Sequence, residues 1–419
     1  MRKAAILFCS LLLLTSALAA QGKRLWVLRA PGEMVEYDPV SFVQKQIVKV
    51  PAEAVASPQN LSVNRSGQML FAPPVSLPLA DEDLADAQKV WLWDGHSASA
   101  VTRDVSRSTA KTGSNLAVTE SAPIPCLSND GAHLFWFSNQ ARRLQRENVD
   151  LSTRDTWSAW QTDLAGAGRQ DLASLTLPEC SCRTGSCEES CPLGKVWVPE
   201  DGVGKFFALT QSFTSQTETV YKSSSIYQEA AGKWAPSPVD PALRRVLDAA
   251  NATTIVEALP DKACCGWANQ SNDQTQLRRN GKALLVFDEL ATYNNADYDV
   301  SFYTDNGKLS PDLGAVAFTI VATAEPNKPI QLAEQGQANP EESQRIRKAL
   351  ADLPAVEVKS VEDAPRRLAF LPHASLVGWI SEKEILVVEG HLLVAYNVIT
   401  HAARKSSVRV DDAGHAFVR

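Results

Sequence analysis

Short apolar runs rich in β-branched and aromatic residues punctuate the chain at residues 25–28, 90–93, 133–137, 205–209, 283–287, 315–321, 384–388 and 392–396. Each is bounded by polar or turn-forming residues, the pattern of half-buried or buried strands. Asp94-Gly95, Asp130-Gly131, Asn280-Gly281 and Asn306-Gly307 stand beside these runs. Asx-Gly pairs readily take the positive φ of tight hairpins, so they predict antiparallel meanders with a turn at each site. No regular alternation with long helices appears, which disfavours a parallel α/β sheet. Two segments carry helix-start chemistry: Asp240-Pro241 before residues 243–250, and Asn339-Pro340-Glu341-Glu342 before residues 346–353. In both, an Asx side chain can cap the first turn while Pro occupies a position whose N–H is unused, so short helical insertions are expected over 240–251 and 339–353.

The chain also repeats itself. Leu61-Ser62-Val63-Asn64-Arg65-Ser66-Gly67-Gln68-Met69-Leu70-Phe71 echoes Leu127-Ser128-Asn129-Asp130-Gly131-Ala132-His133-Leu134-Phe135, with a weaker copy over 279–285. Each copy reads as a polar turn closed by Gly and followed by a strand, as expected where every blade of a radial fold makes the same turn. Pro125-x-x-Ser128-x-Asp130-Gly131-x-x-Leu134 resembles the repeat of TolB-like and WD40-like (PD40-type) β-propellers. The earlier copy departs from it, with Ser66 where the Asp should be, and the resemblance covers roughly a fifth of the chain, the other blades matching by strand pattern alone. It implies an all-β fold, a single β-propeller of about six or seven four-stranded antiparallel blades with loop and short helical insertions. The last strands, over 384–400 and 408–418, would share a blade with residues 25–37 to close the ring. The alternative architecture is a pair of β-sandwiches. The resemblance implies binding of proteins or ligands at the channel or loops, and no single activity.

With 419 residues, 44% hydrophobic and 21% charged, the chain has material for a sizeable core. Arg2-Lys3, an apolar run over 4–14 and small residues over 17–20 form a secretory signal peptide, residues 1–20, leaving residues 21–419 as the propeller domain. The apolar run is too short to span a bilayer, so no transmembrane segment is expected. The expected location is extracytoplasmic, secreted or periplasmic. Cys9 leaves with the leader, and seven cysteines remain in an oxidising space where disulfides persist. Cys180, Cys182, Cys187 and Cys191 crowd an insertion over 178–194, and Cys264 and Cys265 are adjacent; these six are the disulfide candidates, with Cys126 as the odd thiol. Neighbouring cysteines more readily pair outward than with each other, because a vicinal bridge falls outside normal geometry. The spacing also admits a thiolate metal site or a redox motif, but it matches no paired CxxC knuckle.

Losing Arg2 and Lys3 takes the formal net charge from −7 to −9. Nucleic acid is therefore not an expected partner. The six His residues, at 96, 133, 373, 391, 401 and 415, include no i, i+4 pair, and His133 reads as a strand residue. The sequence contains no HExxH, no Gly-x-Ser-x-Gly elbow, no GxGxxG and no P-loop, and no cofactor is expected. Asn295, Asp297, Asp299 and Ser301 offer alternate oxygens for Ca²⁺, without the Gly and the bidentate Glu of an EF-hand; in a strand they simply face solvent. Asn60, Asn64, Asn251 and Asn269 head formal glycosylation sequons. These features favour a non-enzymatic binding scaffold whose partner is a protein or an envelope component, engaged through the insertions around 180–191 and 338–354. The alternative is a propeller hydrolase or lyase acting on a saccharide or peptide. Oligomeric state is not legible.

Overall fold

A computed structural model describes residues 22–73, 87–104, 116–120, 124–128, 131–145, 151–176, 180–182, 196–197, 206–214, 219–230, 233–236, 243–250, 253–258, 274–279, 282–286, 301–323, 340–362 and 365–419. Among them, thirty strands form seven antiparallel sheets. Blade 1 holds β1 (Leu25–Arg29), β2 (Glu33–Tyr37) and β3 (Gln44–Lys49). Blade 2 follows with β4 (Leu61–Val63), β5 (Met69–Phe71), β6 (Ala87–Trp93) and β7 (Ala98–Asp104). Blade 3 contains β8 (Leu116–Glu120), β9 (Ile124–Leu127), β10 (His133–Gln145), β11 (Leu151–Asp163), β12 (Gln170–Thr176) and β13 (Cys180–Cys182). Blade 4 is β14 (Val196–Trp197), β15 (Phe206–Thr214), β16 (Thr219–Ala230) and β17 (Lys233–Pro236). Blade 5 is β18 (Leu243–Ala250), β19 (Thr253–Ala258), β20 (Gln274–Arg279) and β21 (Lys282–Val286). Blade 6 is β22 (Ser301–Leu309), β23 (Ala315–Thr323), β24 (Ala355–Ser360) and β25 (Arg367–Pro372). Blade 7 is β26 (Ala374–Trp379), β27 (Glu384–Glu389), β28 (Leu392–Asn397) and β29 (Ala403–Arg409), and β30 (Ala416–Val418) returns to blade 1.

The sheets close into a ring. β4 and β5 touch β9, β12 touches β17, β15 touches β18, β18 touches β22, β22 touches β26, and β26 touches β30. Blades 1 and 2 share a core in which Trp26, Leu28 and Met34 meet Leu61, Phe71 and Trp93. Leu25, Val27 and Val35 of blade 1 pack on Leu386, Leu393 and Val408 of blade 7, so the ring has no open edge between its first and last sheets. The chain is a seven-bladed β-propeller.

Closure is made by strand exchange between the two ends of the chain. β30 is the inner strand of blade 1 and pairs with β1 at Leu25↔Val418, Trp26↔Phe417 and Val27↔Ala416. The ladder continues through the Arg24 N–H to the Arg419 carbonyl, 2.6 Å, and back at 3.0 Å. Blade 1 thus takes only β30 from the C-terminal region, while the runs at 384–388 and 392–396 build β27 and β28 of a separate blade 7. The closed ring also replaces the two-sandwich alternative.

Two local expectations are corrected. Residues 243–250 form strand β18, not a helix, and pair with β19 through two register shifts. Helix-favouring Leu, Arg and Ala are overridden there because blade 5 needs an inner strand to complete its ladder. Asn306-Gly307 is a bulge inside β22, not a hairpin turn: the register with β23 jumps between Asp305 and Lys308, and Asn306 has φ 52°. A helix spans Pro340–Ala351. Its Ile346 is buried with Leu277 of blade 5 and Phe318 of blade 6, so it plugs the groove between those blades.

Candidate functional site

Within each blade the inner strand (a) leads outward through b and c to the outer strand d. In an antiparallel meander the a–b and c–d turns then lie on one face of the ring, and the b–c and d–a connections on the other. Several described turns of the first face share one device, a short polar side chain that closes its own hairpin. Ser128 donates its N–H to the His133 carbonyl, 3.0 Å, and its Oγ accepts the His133 N–H, 3.0 Å. Ser310 does the same with Ala315, at 2.9 and 2.9 Å, and Asn64 with Gln68, at 3.0 and 2.9 Å. These are the a–b turns of blades 3, 6 and 2. The repeat seen at 61–71 and 127–135 is this turn, whereas the weak copy at 279–285 spans a c–d turn. Asp38, Asp94, Asp163 and Asn397 serve the c–d turns of blades 1, 2, 3 and 7 through carboxylate or amide oxygens that accept backbone N–H groups. The Ser41 backbone N–H, with the Ser41 hydroxyl, the Val40 N–H and Lys45 behind it, lowers the Asp38 pKa to about 2.

The same turns join neighbouring blades. The Arg24 side chain of blade 1 donates to the Ser66 carbonyl, 3.0 Å, and Arg419 to the Val63 carbonyl, 2.8 Å. Asn64 Nδ2 donates to the Ser128 carbonyl and Gln68 Nε2 to the Gly131 carbonyl, each 3.0 Å. Gly131 has φ +71°, and a Cβ there would stand 2.5 Å from Gln68 Oε1. The closing Gly of the repeat is therefore favoured by its backbone, and a side chain there would also displace the end of Gln68 from the preceding blade. Asn306 Nδ2 likewise donates from its bulge to the Leu376 carbonyl, 2.5 Å, and Trp379 Nε1 returns to the Lys308 carbonyl, 3.0 Å.

The opposite face is built differently. On the turn face, no connection is longer than the one from Trp197 to Phe206. On the opposite face β23 reaches β24 through residues 324–354, β19 reaches β20 through 259–273, β21 reaches β22 through 287–300, and β12 reaches β14 through 177–195. Blade 3 also gains height there. The far halves of β10 and β11 extend past β9 and β12, and their free edges are taken by β8 at Arg142↔Val118 and by β13 at Thr153↔Cys180. That second storey is a four-stranded sheet in the order β8, β10, β11, β13.

Of the cysteines singled out in the sequence, Cys180 and Cys182 stand in β13, opposite Thr153 and Leu151. Cys187, Cys191, Cys264 and Cys265 lie outside the described residues, as do Asn295, Asp297 and Asp299; Ser301 opens β22 opposite Thr323. Cys126 is half-buried in inner strand β9, its Sγ 3.6 Å from the Leu127 carbonyl. His133 opens β10, opposite Asp163. Among the sequons, Asn64 is buried and its amide is consumed by Gln68 and Ser128, which removes it as an acceptor in the folded protein. Asn251 and Asn269 lie outside the described residues.

Sequence reasoning missed three polar features. The Ser310 turn, Ser-Pro-Asp-Leu-Gly, holds the same geometry as the Ser128 turn without the Asp-Gly pair that marked the latter. In blade 6, Glu357 of β24 is buried beside Lys359, 4.0 Å, and Arg367 of β25, 2.6 Å, an ion cluster that forms only when the two strands pair. His415, buried in the turn before β30, sets Nδ1 2.8 Å from Asp412 and Nε2 3.0 Å from the Val55 carbonyl, pinning the closing strand to the connection between blades 1 and 2.

No protein-family model matches the chain, and no curated protein matches it by sequence. Solved structures that it resembles include the WD40 domain of SCAP from fission yeast, at 9% identity and TM-score 0.37, covering 93% of this chain and 88% of that one. Apo AztD from Citrobacter koseri aligns at 10% identity and TM-score 0.33, covering 93% and 96%. The dihydro-heme d1 dehydrogenase NirN in complex with DHE aligns at 9% and 0.29, covering 84% and 73%. Such likeness carries no argument about activity, and the propeller assignment rests on strand order and ring closure.

Proposed function

We propose that the protein is an extracytoplasmic, non-enzymatic binding scaffold of the WD40-like or TolB-like kind, and that it engages a protein or an envelope component through the b–c and d–a face. The observation that carries this reading is the asymmetry of the two faces. One has only short connections, the described ones closed by their own hydrogen bonds, while the other bears the long connections and the second storey of blade 3. A rigid frame presenting variable segments on one side is a binding architecture, because the frame bears the ordering cost and the segments supply the contacts. The apolar leader and small residues over 1–20, and the seven cysteines beyond it, support export.

The test is to tag the C-terminus, recover the mature protein from the extracytoplasmic fraction at low and high salt, and quantify co-purifying proteins by mass spectrometry. A stoichiometric partner retained at both salts, and lost when 178–194 is replaced by a short Gly-Ser linker, is the expected result. Absence of any partner at both salts contradicts the reading and directs attention to saccharides and peptides as ligands or substrates.

A further inference from the structure

The connection that feeds the closing strand is held by two imidazoles, and the two have different partners. Residues 410–415 run from blade 7 to β30 on the face of the long connections. His391, in the turn between β27 and β28, sets Nδ1 3.0 Å from the Asp411 carbonyl and is otherwise exposed. One N–H meets that need, so a neutral ring and a charged ring serve equally well. His415 has two partners instead of one. It is buried, with Nδ1 2.8 Å from Asp412 Oδ1 and Nε2 3.0 Å from the Val55 carbonyl.

Neither partner of His415 is a donor. A peptide carbonyl offers only lone pairs, as does a carboxylate, and Asp412 Oδ1 already accepts the Gly414 N–H at 2.8 Å. A neutral imidazole carries one N–H and one lone pair, so in either tautomer one of the two contacts sets lone pair against lone pair. The doubly protonated ring satisfies both. Its surroundings favour that positive charge: Val55 belongs to the short helix Glu53–Ala56, whose terminal carbonyls carry partial negative charge, and the Asp412 carboxylate supplies a full one. Of the elements packed against this turn, β26 and residues 58–60 bring no titratable side chain. β1 brings Arg29, whose guanidinium is engaged by the Tyr37 hydroxyl, and the remaining acids, Glu53 and Asp411, are exposed.

We propose that His415 is a protonation-dependent latch on ring closure. As the imidazolium it ties the turn before β30 to the connection between blades 1 and 2, and loss of one ring proton releases one of the two ties. The folded ring holds a proton that a histidine in the unfolded chain gives up above about pH 6.5. The latch therefore contributes fully below that pH, and its contribution is lost as pH rises and the folded ring is deprotonated. The loosening falls on the seam where Leu25, Trp26 and Val27 pair with Val418, Phe417 and Ala416. Purified protein without any partner suffices for the test, so its failure and that of the scaffold reading are separable.

Hydrogen exchange of the β1 and β30 amides in the full chain, corrected for the intrinsic effect of pH, is followed by mass spectrometry from pH 6 to pH 9. Nitrogen NMR of ring-labelled histidine reports the protons of the His415 ring, its resonances identified by their loss in His415→Gln. At pH 6 both ring nitrogens should be protonated. Protection over 25–27 and 416–418 should fall about ten-fold toward pH 9, as expected for loss of one charge-assisted hydrogen bond. In His415→Gln, which does not titrate, that fall should disappear, whereas His391→Gln should keep it. Asp412→Asn, which retains an oxygen for the Gly414 N–H, should move the fall to lower pH, and this variant decides the matter if His415→Gln does not fold. A singly protonated His415 ring at pH 6, the same pH response in wild type and His415→Gln, or an unmoved response in Asp412→Asn overturns the proposal.

Discussion

Asn64 concentrates several roles in one buried side chain. Its amide donates to the Ser128 carbonyl and to Gln68, while its oxygen accepts the Gln68 N–H. Asn64→Ala removes the acceptor of the buried Gln68 N–H and one of the two donors to the Ser128 carbonyl, which keeps the Gly131 N–H; the group left unsatisfied costs about 1–3 kcal/mol. Urea unfolding should show a lower midpoint with an unchanged m-value; an unshifted midpoint would mean that water replaces the side chain at no cost. Gly131→Ala should be as damaging, because φ +71° and the 2.5 Å approach of Gln68 Oε1 oppose any side chain. Asp38 sets a pH dependence. Its carboxyl is held at about 2, below its unfolded value, so its contribution is present above the unfolded pKa and is lost as pH falls from about 4 to about 2. Asp38→Asn should therefore reduce thermal stability at neutral pH and converge with wild type near pH 2. A constant gap across that window would show that the carboxylate charge is not the source.

Strands and turns explain how much could be read in advance. Alternating or continuous apolar runs placed β1, β6, β10, β23, β27 and β28 correctly, because burial between blades demands that pattern. Asp94-Gly95 and Asp130-Gly131 marked real turns, with Gly95 at φ 105° and Gly131 at φ 71°. Asn306-Gly307 has the same local preference, but it is spent on a bulge that aims the Asn306 amide at blade 7, a use visible only when the neighbouring blade is in place. β18 was hidden for the converse reason: Leu-Arg-Arg-Val-Leu-Asp-Ala-Ala prefers a helix locally, and the ladder of blade 5 decides otherwise. The candidate site was less legible. Cysteine spacing marked the insertion after β12, yet the face on which the long connections gather follows from strand parity, a property of the whole meander. The helix Pro340–Ala351 tests the element scale. Ile346→Asp should destabilise the protein by about 3 kcal/mol or more, since it places an unpaired charge among Leu277, Val316 and Phe318. Proteolysis near residue 340 should accelerate, and unchanged stability would show that the helix does not seat between blades 5 and 6.

At the scale of the whole molecule, a ring of seven blades is closed by one returning strand whose Ala416 and Val418 share a core with blades 1 and 7. His415 adds a pin at that junction, and His415→Ala should lower the melting temperature while leaving the other blades' contacts intact. An unchanged melting temperature would show that β30 is held by its ladder and core contacts alone. The two faces differ, with short connections on one side and the long ones on the other. The most direct measurement is hydrogen exchange by mass spectrometry on the mature protein, alone and with the captured partner. The account expects partner-induced protection in the connections bracketed by β12 and β14, β19 and β20, and β23 and β24, with none in the Asn64, Ser128 and Ser310 turns. Protection confined to those turns would contradict the assignment of the binding face.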